Sequence, residues 1–188
     1  MLDKKEQILE TTRGLFLTEG LMVPTLRIAK IAGVANGTLF NYFPTKQDLI
    51  DAIYLTAKQE VLGLFSSNGL GGVMKLEEGF SLVWNSYTRW ALKFPQKHDV
   101  MNLLKTAKVV SPQVIKQTES SLEPLYKLVQ KSMAGGEIRK IDIDYLYQIL
   151  RAQIDASIAH ALKKGLAGLP LEKHIQNGFE IFWRSIRA

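Results

Sequence analysis

The stretch AGVANGTLFNYFPTKQDLI, residues 32–50, places a glycine turn and a short helix between two apolar helical patterns. Gly33 permits the positive backbone angle that a tight turn between helices often needs. Residues 36–42 supply about two helical turns, and Pro44 ends them. A short helix over residues 24–33 precedes the turn, so the segment predicts a helix-turn-helix motif, in which the second helix is presented to a DNA major groove.

The rest of the chain also has helical periodicity. Thr45 and Asp48 resemble a capping box at the start of a fourth helix, and Pro124 is expected to kink or restart the helix that begins near Pro112. The other predicted helices cover residues 4–19, 47–65, 79–92, 100–110, 143–164 and 171–186. Because no strand alternation or internal repeat is present, the fold is predicted to be all-α, with about nine helices.

Composition restricts the environment of the chain. Apolar residues make up 46% of it, but no run approaches the ~20 consecutive apolar residues of a spanning helix. No apolar segment with a small-residue cleavage site follows the N-terminus, so no signal peptide is expected. The chain has no cysteine, which excludes disulfides and thiolate metal sites. A soluble, cytoplasmic protein without a membrane partner is expected.

The net charge of +6 does not by itself indicate nucleic-acid binding. Residues 1–60 contain seven basic and seven acidic side chains, so the whole surplus lies beyond residue 60. A case for DNA binding therefore depends on the geometry of the helix-turn-helix segment rather than on charge.

The helix-turn-helix segment has a long internal pattern, which reads IAKIAGV at residues 28–34 and GTLFNYF at residues 37–43, followed by Lys46. In this pattern the chain resembles the TetR family of transcriptional regulators over about residues 4–60. Three positions depart from the family: Ala35 stands where serine is frequent, Phe40 replaces a common tyrosine, and Val23 occupies a frequent threonine position. These departures affect individual DNA contacts and leave the fold prediction unchanged.

The resemblance implies a set of DNA-facing residues, and their chemistry agrees with that use. The set is Thr25, Arg27, Asn36, Gly37, Thr38, Asn41, Tyr42 and Lys46. Asparagine can donate and accept at the major-groove edge of adenine, hydroxyl groups and lysine can bind phosphate, and glycine permits close approach of the backbone. Two alternatives stay open, since Asn36 could only cap its helix and Asn41 could be solvated. Leu39 and Phe43, four residues apart, are expected to pack in the core.

A composition break, SSNGLGG at residues 66–72, predicts a loop or hinge between two parts of the chain. With the family resemblance, it divides the chain into three segments. These are a helix-turn-helix DNA-binding domain over residues 1–46, a connecting fourth helix over 47–65, and a larger helical ligand-binding and dimerisation domain over 66–188.

An aromatic stripe on the helix after that loop suggests a ligand site. The segment WNSYTRW, residues 84–90, is similar to its counterpart in multidrug-binding members of the family, which implies a pocket for a lipophilic, aromatic or cationic small molecule. The implied ligand-binding residues are Tyr54, Lys58, Phe80, Trp84 and Tyr87. Core packing of the aromatic residues and solvation of Lys58 are the alternatives.

The last two predicted helices have wide apolar faces and small residues that permit close approach of another helix. In TetR-like proteins two such helices per chain form a four-helix bundle, so the resemblance implies a homodimer. The implied dimerisation residues are Ile149, Ala152, Ala156, Ile175, Phe179, Phe182 and Ile186. Burial of these side chains within one chain is the alternative.

The sequence as a whole predicts a ligand-responsive transcriptional regulator, a repressor that a small molecule releases from a palindromic double-stranded DNA operator. One alternative is a regulator of the same fold without a small-molecule ligand. Another is an all-α enzyme, which is disfavoured because His98, His160 and His174 are scattered and no nucleophile, base and orienting group can be placed together. No cofactor and no metal ion are expected.

Overall fold

The computed structural model describes residues 3–70 and 75–188, and within these ranges the chain forms ten helices and no β-strand. The helices are α1 (Lys4–Glu19), α2 (Thr25–Ile31), α3 (Asn36–Tyr42), α4 (Lys46–Ser67), α5 (Leu76–Lys93), α6 (Pro95–Thr106), α7 (Pro112–Ser120), α8 (Glu123–Ala134), α9 (Ile143–Lys164) and α10 (Gly168–Ile186). The all-α prediction is confirmed. No helix of the described ranges is long and apolar enough to cross a membrane.

Some helix boundaries differ from the predicted ones. Helix α6 begins at Pro95, about five residues before the predicted segment, because proline is well suited to the first turn of a helix, where its missing N–H is not needed. Pro124 occupies the first turn of α8 in the same way, as predicted. Of the predicted loop over residues 66–72, residues 71 and 72 lie outside the described ranges.

The described helices divide into two compact units. The first unit is formed within Met1–Glu60 and Phe94–Glu119, and the second within Val61–Lys93 and Ser120–Ala188. Helix α4 contributes to both, since its residues up to Glu60 belong to the first unit. The first unit therefore contains α6 and α7 as well as the helix-turn-helix, which is a different partition from the three consecutive segments predicted from the sequence.

The core of the first unit holds the helix-turn-helix together. Helix α1 packs against α2, α3 and α6, and fully buried side chains such as Ile8, Ile28 and Leu39 fill the space between these helices. Gly33 has a φ of +66° in the turn between α2 and α3, a value that side chains other than glycine rarely adopt. The predicted use of Gly33 is confirmed, and the turn fixes the direction in which α3 leaves α2.

A reciprocal pair of hydrogen bonds starts α4. The Thr45 backbone N–H donates to Asp48 Oδ2 at 2.9 Å, and the Asp48 backbone N–H donates to Thr45 Oγ1 at 3.1 Å. These are the two bonds of a capping box, with aspartate in place of the usual glutamate or glutamine. The predicted capping box is confirmed.

The core of the second unit is an aromatic cluster between α5 and α10. The ring of Phe182 packs edge-on against Phe80, with centroids 5.2 Å apart, and lies nearly parallel to Trp84 at 6.1 Å. Trp84 Nε1 donates a hydrogen bond of 3.0 Å to the Ile175 carbonyl oxygen. Since the three rings are at most 1% exposed, this cluster fixes how α10 lies against α5.

Gly178 marks the closest approach of α10 to that cluster. A Cβ atom built on Gly178 would lie 2.7 Å from Trp84 Cζ2 and 3.4 Å from Ser157 Oγ. We expect Gly178→Ala to destabilise the protein by about 1–3 kcal/mol, because the buried and hydrogen-bonded indole must move to admit a methyl group. The loss should appear in urea unfolding although alanine is the better helix former.

Gly14→Ala in α1 is the matched control for this prediction. A Cβ atom at Gly14 meets no atom within 4 Å, so the same substitution should stabilise the protein by about 0.5–1 kcal/mol through helix propensity alone. Stabilisation by both substitutions would show that α10 does not approach Trp84 of α5 as closely as a 2.7 Å distance from the Gly178 Cβ position requires.

Candidate DNA-binding site

Helix α3 has one buried face and one exposed face. Leu39 and Phe43 are 0% and 2% exposed, which confirms their predicted place in the core. Away from these two, Asn36, Phe40 and Asn41 are exposed. Phe40 lies one helical turn after Asn36, whereas Asn41 lies about 100° around the helix from Phe40, opposite Leu39 and Phe43. The exposed face of α3 therefore offers two amide side chains and an aromatic ring to a partner.

The remaining predicted DNA-facing residues of α3 vary in exposure. Gly37 is exposed, Thr38 is half-buried, and Tyr42 is 39% exposed at the last position of the helix. Asn36 is the first residue of α3 and does not precede it, and the residue before it, Ala35, makes no side-chain capping bond. This favours the interpretation of Asn36 as a surface residue over that of a cap.

Arg27 on α2 is exposed but paired with an acid. Its Nε donates to Glu19 Oε2 at 2.7 Å, and its Nη2 donates to Glu19 Oε1 at 2.6 Å. The hydrogen bond from Arg27 lowers the pKa of Glu19, and the same bond raises the pKa of Arg27. The guanidinium fork that would bind a phosphate or a guanine is therefore occupied by the Glu19 carboxylate, a pairing that the sequence reasoning missed.

Lys46 connects the start of α4 to the segment before α2. Its Nζ donates a hydrogen bond of 2.8 Å to the Val23 carbonyl oxygen, and partial burial lowers the pKa of Lys46. An ammonium group has three donors, so this bond leaves donors for a phosphate. Thr25 is the first residue of α2, two residues after Val23, and it is half-buried.

The Arg27 pair leads to a prediction about the salt dependence of DNA binding. We expect Glu19→Gln to strengthen DNA binding and to make it more salt-dependent, because it leaves the Arg27 charge uncompensated. One added phosphate contact per protomer should steepen the slope of log K against log salt by about 0.9 per protomer. Fluorescence anisotropy titrations between about 50 and 200 mM salt measure this slope.

Glu172→Gln provides a matched control. In the second unit Arg89 binds Glu172 with the same two-pronged geometry, at 2.6 Å and 2.5 Å, so this variant changes the charge of the chain equally. Its slope should equal that of the unsubstituted protein. Equal slopes for both variants would show that Arg27 does not contact DNA.

The predicted ligand-binding residues fall in both units. On α4, Tyr54 is 1% exposed and Lys58 Nζ lies 5.9 Å from the centroid of its ring. On α5, Phe80 and Trp84 are core residues of the second unit, and the half-buried ring of Tyr87 lies 5.8 Å from that of Trp90. Their use in ligand binding stays a prediction.

Three buried polar atoms of the second unit were not anticipated. Within the described residues Thr88 Oγ1, Tyr147 Oη and Trp183 Nε1 are buried without a hydrogen-bond partner. Burial, and secondarily the nearby Tyr126, raise the pKa of Tyr147. The burial of Thr88 could have been predicted from the sequence, because Thr88 follows Trp84 by four residues, as Trp84 follows Phe80, and so lies on the same stripe of α5.

The predicted dimerisation residues separate into two groups. Four on α10, which are Ile175, Phe179, Phe182 and Ile186, are at most 5% exposed within a single chain. They belong to the core of the second unit and cannot form a surface that another copy covers. On α9, Ala152 and Ala156 are exposed and Ile149 is half-buried. Apolar side chains that the sequence reasoning did not select are also exposed, including Leu162 at 48% and Ile181 at 66%.

An exposed polar face on the second helix of a helix-turn-helix, followed by an all-helical remainder, is the organisation of a helix-turn-helix transcriptional regulator. Residues 8–53 match the family model described as bacterial regulatory proteins, tetR family. A solved structure of a proposed tetR family transcription regulator from Shewanella sp. PV-4 is 26% identical, covers 100% of both chains and has a TM-score of 0.84. Residues 8–53 therefore form a DNA-binding segment of the TetR type, and the chain as a whole has the fold of TetR family regulators.

Two further similarities agree with that assignment. A TetR family transcription regulator from Marinobacter aquaeolei VT8 has the same fold, with a TM-score of 0.84, 21% identity and coverage of 98% of this chain and 95% of that chain. The nucleoid occlusion factor SlmA of Actinobacillus pleuropneumoniae is 34% identical over 68 residues, which is 35% of this chain. The chain spans about a third of the length of this curated relative.

Proposed function

We propose that this protein is a homodimeric transcriptional regulator that binds a palindromic DNA operator through α3 and acts in the cytoplasm as a ligand-released repressor. The observation that carries the DNA-binding part is the division of α3 into a face buried through Leu39 and an exposed surface that includes Asn36 and Asn41. A helix held in this way can enter a major groove without rearranging the core that supports it.

A second copy of the chain is required for a palindromic site, since two recognition helices must lie about one helical turn apart, ~34 Å. Helices α9 and α10 are joined by only three residues, 165–167, so they form an antiparallel hairpin. Its exposed apolar residues include Ala152, Ala156 and Ile181. We assign the dimer contact to this surface, named here the α9/α10 face.

The proposed response to a small molecule is supported by the three buried polar atoms of the second unit. A hydroxyl or indole N–H buried without a hydrogen-bond partner is unfavourable. A small molecule with hydrogen-bonding groups on an apolar frame could supply the missing partner. Such a ligand would favour one spacing of the recognition helices by binding one state more tightly, typically by 1–3 kcal/mol. Helix α4 contributes residues to both units and is the natural connection between them.

A regulator without a small-molecule ligand is the second candidate, and one observation favours it. Phe80 and Trp84, two of the predicted ligand-binding residues, are 0% and 1% exposed, and Trp84 Nε1 is already hydrogen-bonded to Ile175. The packing and hydrogen bonding of these side chains within the chain are enough to explain their presence, so a ligand is not needed to explain them.

Fluorescence anisotropy on labelled DNA from upstream of the gene for this chain tests the proposal. Binding should resist scrambled competitor DNA at physiological salt, and it should be lost on adding a member of a panel of lipophilic cations and neutral lipophilic ketones. Binding that no compound changes would support the second candidate. Equal competition by scrambled DNA, on this fragment and on fragments selected from a random library, would contradict the DNA-binding proposal.

Thr88→Val separates ligand binding from stability in the same assay. Because Thr88 Oγ1 is buried and unpaired, replacing it with a methyl group should leave the free protein as stable or stabilise it by about 1 kcal/mol. The compound that releases DNA should act at a higher concentration on this variant, while DNA affinity stays the same. An unchanged response together with increased stability would remove Thr88 from the ligand site.

A further inference from the structure

The exposed face of α3 contains no charged side chain. The helix reads NGTLFNY over residues 36–42, and it therefore has neither an arginine nor a lysine. Guanine is most often read by an arginine or lysine that bonds its O6 and N7 atoms, whereas asparagine pairs with N6 and N7 of adenine. The side chains that α3 can place in a groove are thus suited to adenine and lack the usual reader of guanine.

Two of the three cations within ten residues of α3 in sequence already make hydrogen bonds, and the third, Lys30, is exposed on α2. Arg27 Nε and Nη2 both donate to the Glu19 carboxylate, and Lys46 Nζ donates to the Val23 carbonyl oxygen. An arginine held in this way must give up two hydrogen bonds before it can bond the two acceptors of guanine. Because α3 itself contains no cation, the side chains that this helix can place against bases are its amides and its aromatic ring.

Phe40 adds a second, independent feature to this face. It is 38% exposed, and unlike Leu39 and Phe43 it is not part of the buried core of α3, so part of the ring is accessible to a partner. Phe40 lies one helical turn after Asn36 and directly precedes Asn41, which is about 100° further around the helix, so the ring lies between the two amides. An apolar ring in a major groove has one good contact there, the C5-methyl group of thymine.

We propose that each half-site of the operator is read at A·T base pairs, with Asn41 bonding an adenine and Phe40 contacting the methyl group of a thymine beside it. The inference rests on the proposed DNA-binding function and specifies the bases that α3 recognises. Phe40 is then a specificity-determining residue. Its lack of the hydroxyl group that a tyrosine would direct at phosphate is consistent with contact to a base instead.

The test begins with selection of tight binders by the full-length protein from a duplex library with a randomised centre. Each thymine of the selected half-site is then replaced in turn by deoxyuridine, which removes only the C5-methyl group. At one thymine per half-site the loss of affinity should be about fourfold, the effect of one buried methyl group. The same replacement should have no effect on Phe40→Ala, and Phe40→Tyr, which keeps the ring, should retain the sensitivity.

Far-ultraviolet circular dichroism checks that the Phe40→Ala substitution, at an exposed position, has not changed the fold. Selected half-sites whose centre is G·C, or a deoxyuridine effect of equal size with and without the Phe40 ring, would overturn the inference and leave the regulator proposal standing. Failure to select any preferred duplex would instead overturn the proposed function, and the inference with it.

Discussion

Ala156→Arg is expected to convert the protein into a monomer and to lower its affinity for a palindromic operator by a factor of about 10² to 10⁴. Ala156 is an exposed residue near the middle of α9, on the proposed α9/α10 face. A guanidinium placed between two packed helices would lose its hydration without gaining a partner, and a buried unpaired charge is strongly unfavourable. Loss of the second half-site removes the gain in affinity that two linked binding sites provide.

The direction of this effect is informative because the substitution adds positive charge. An added arginine on a surface unrelated to dimerisation would strengthen binding to DNA through its charge. Weaker binding therefore has to come from loss of the dimer. Size-exclusion chromatography with light scattering measures the mass of the variant. Fluorescence anisotropy measures its affinity for a full palindrome and for a single half-site.

Ala134→Arg, at an exposed position at the end of α8, is the matched control and should stay dimeric with unchanged or slightly stronger DNA binding. The half-site affinity of Ala156→Arg should equal that of the unsubstituted protein for the same duplex. A dimeric Ala156→Arg with full operator affinity would show that two copies associate through another surface.

Local features were predictable from the sequence because their causes are local. The capping box needs only Thr45 and Asp48 at a spacing of three, and the turn before α3 needs only a residue that tolerates positive φ at position 33. The division of α3 into buried Leu39 and Phe43 and an exposed opposite face follows from helical periodicity alone. These features define the candidate DNA-binding site, so its backbone could be predicted in detail.

Pairings between distant residues could not be predicted in the same way. The bond between Arg27 and Glu19 joins two helices through a loop whose conformation the sequence does not indicate. Arg13 is a different case, because its partner Glu6 lies on the same helix at 2.6 Å, but its burial to 1% exposure depends on the helices packed against α1, whereas arginine on a helix is usually solvated. In both cases the tertiary arrangement decides whether a cation is available to DNA.

The proposal of a dimer surface needed the structure for a similar reason. A wide apolar stripe on α10 indicates only that other side chains pack against it. The sequence does not show whether these belong to a second copy of the chain or to another helix of the same chain. In the structure α5 covers Phe179 and Phe182 with its own aromatic rings. The exposed apolar residues that remain, such as Ile181, are fewer and were not prominent in the sequence pattern.

Phe182→Ala is expected to destabilise the protein by about 3–5 kcal/mol, the largest effect on stability that we predict. Phe182 is fully buried between Phe80 and Trp84, and both neighbours are held by further packing, so the space left by the ring cannot close. The midpoint of urea unfolding should fall accordingly. Because the lost contacts lie within one chain, the change in free energy should be the same at all protein concentrations, provided that dimer association itself is included in the fit.

Ile181→Ala provides the comparison, since the neighbouring side chain points away from that core and is 66% exposed. If Ile181 lies on the α9/α10 face, its truncation should weaken association, and its effect on the unfolding midpoint should grow as the protein is diluted toward the dimer dissociation constant. Phe182→Ala should instead leave the association of folded chains intact. Adjacent residues would then report separately on the core and on the dimer surface. A large, concentration-independent loss at Ile181, or loss of association caused by Phe182→Ala in fully folded protein, would reverse the assignment of the two faces of α10.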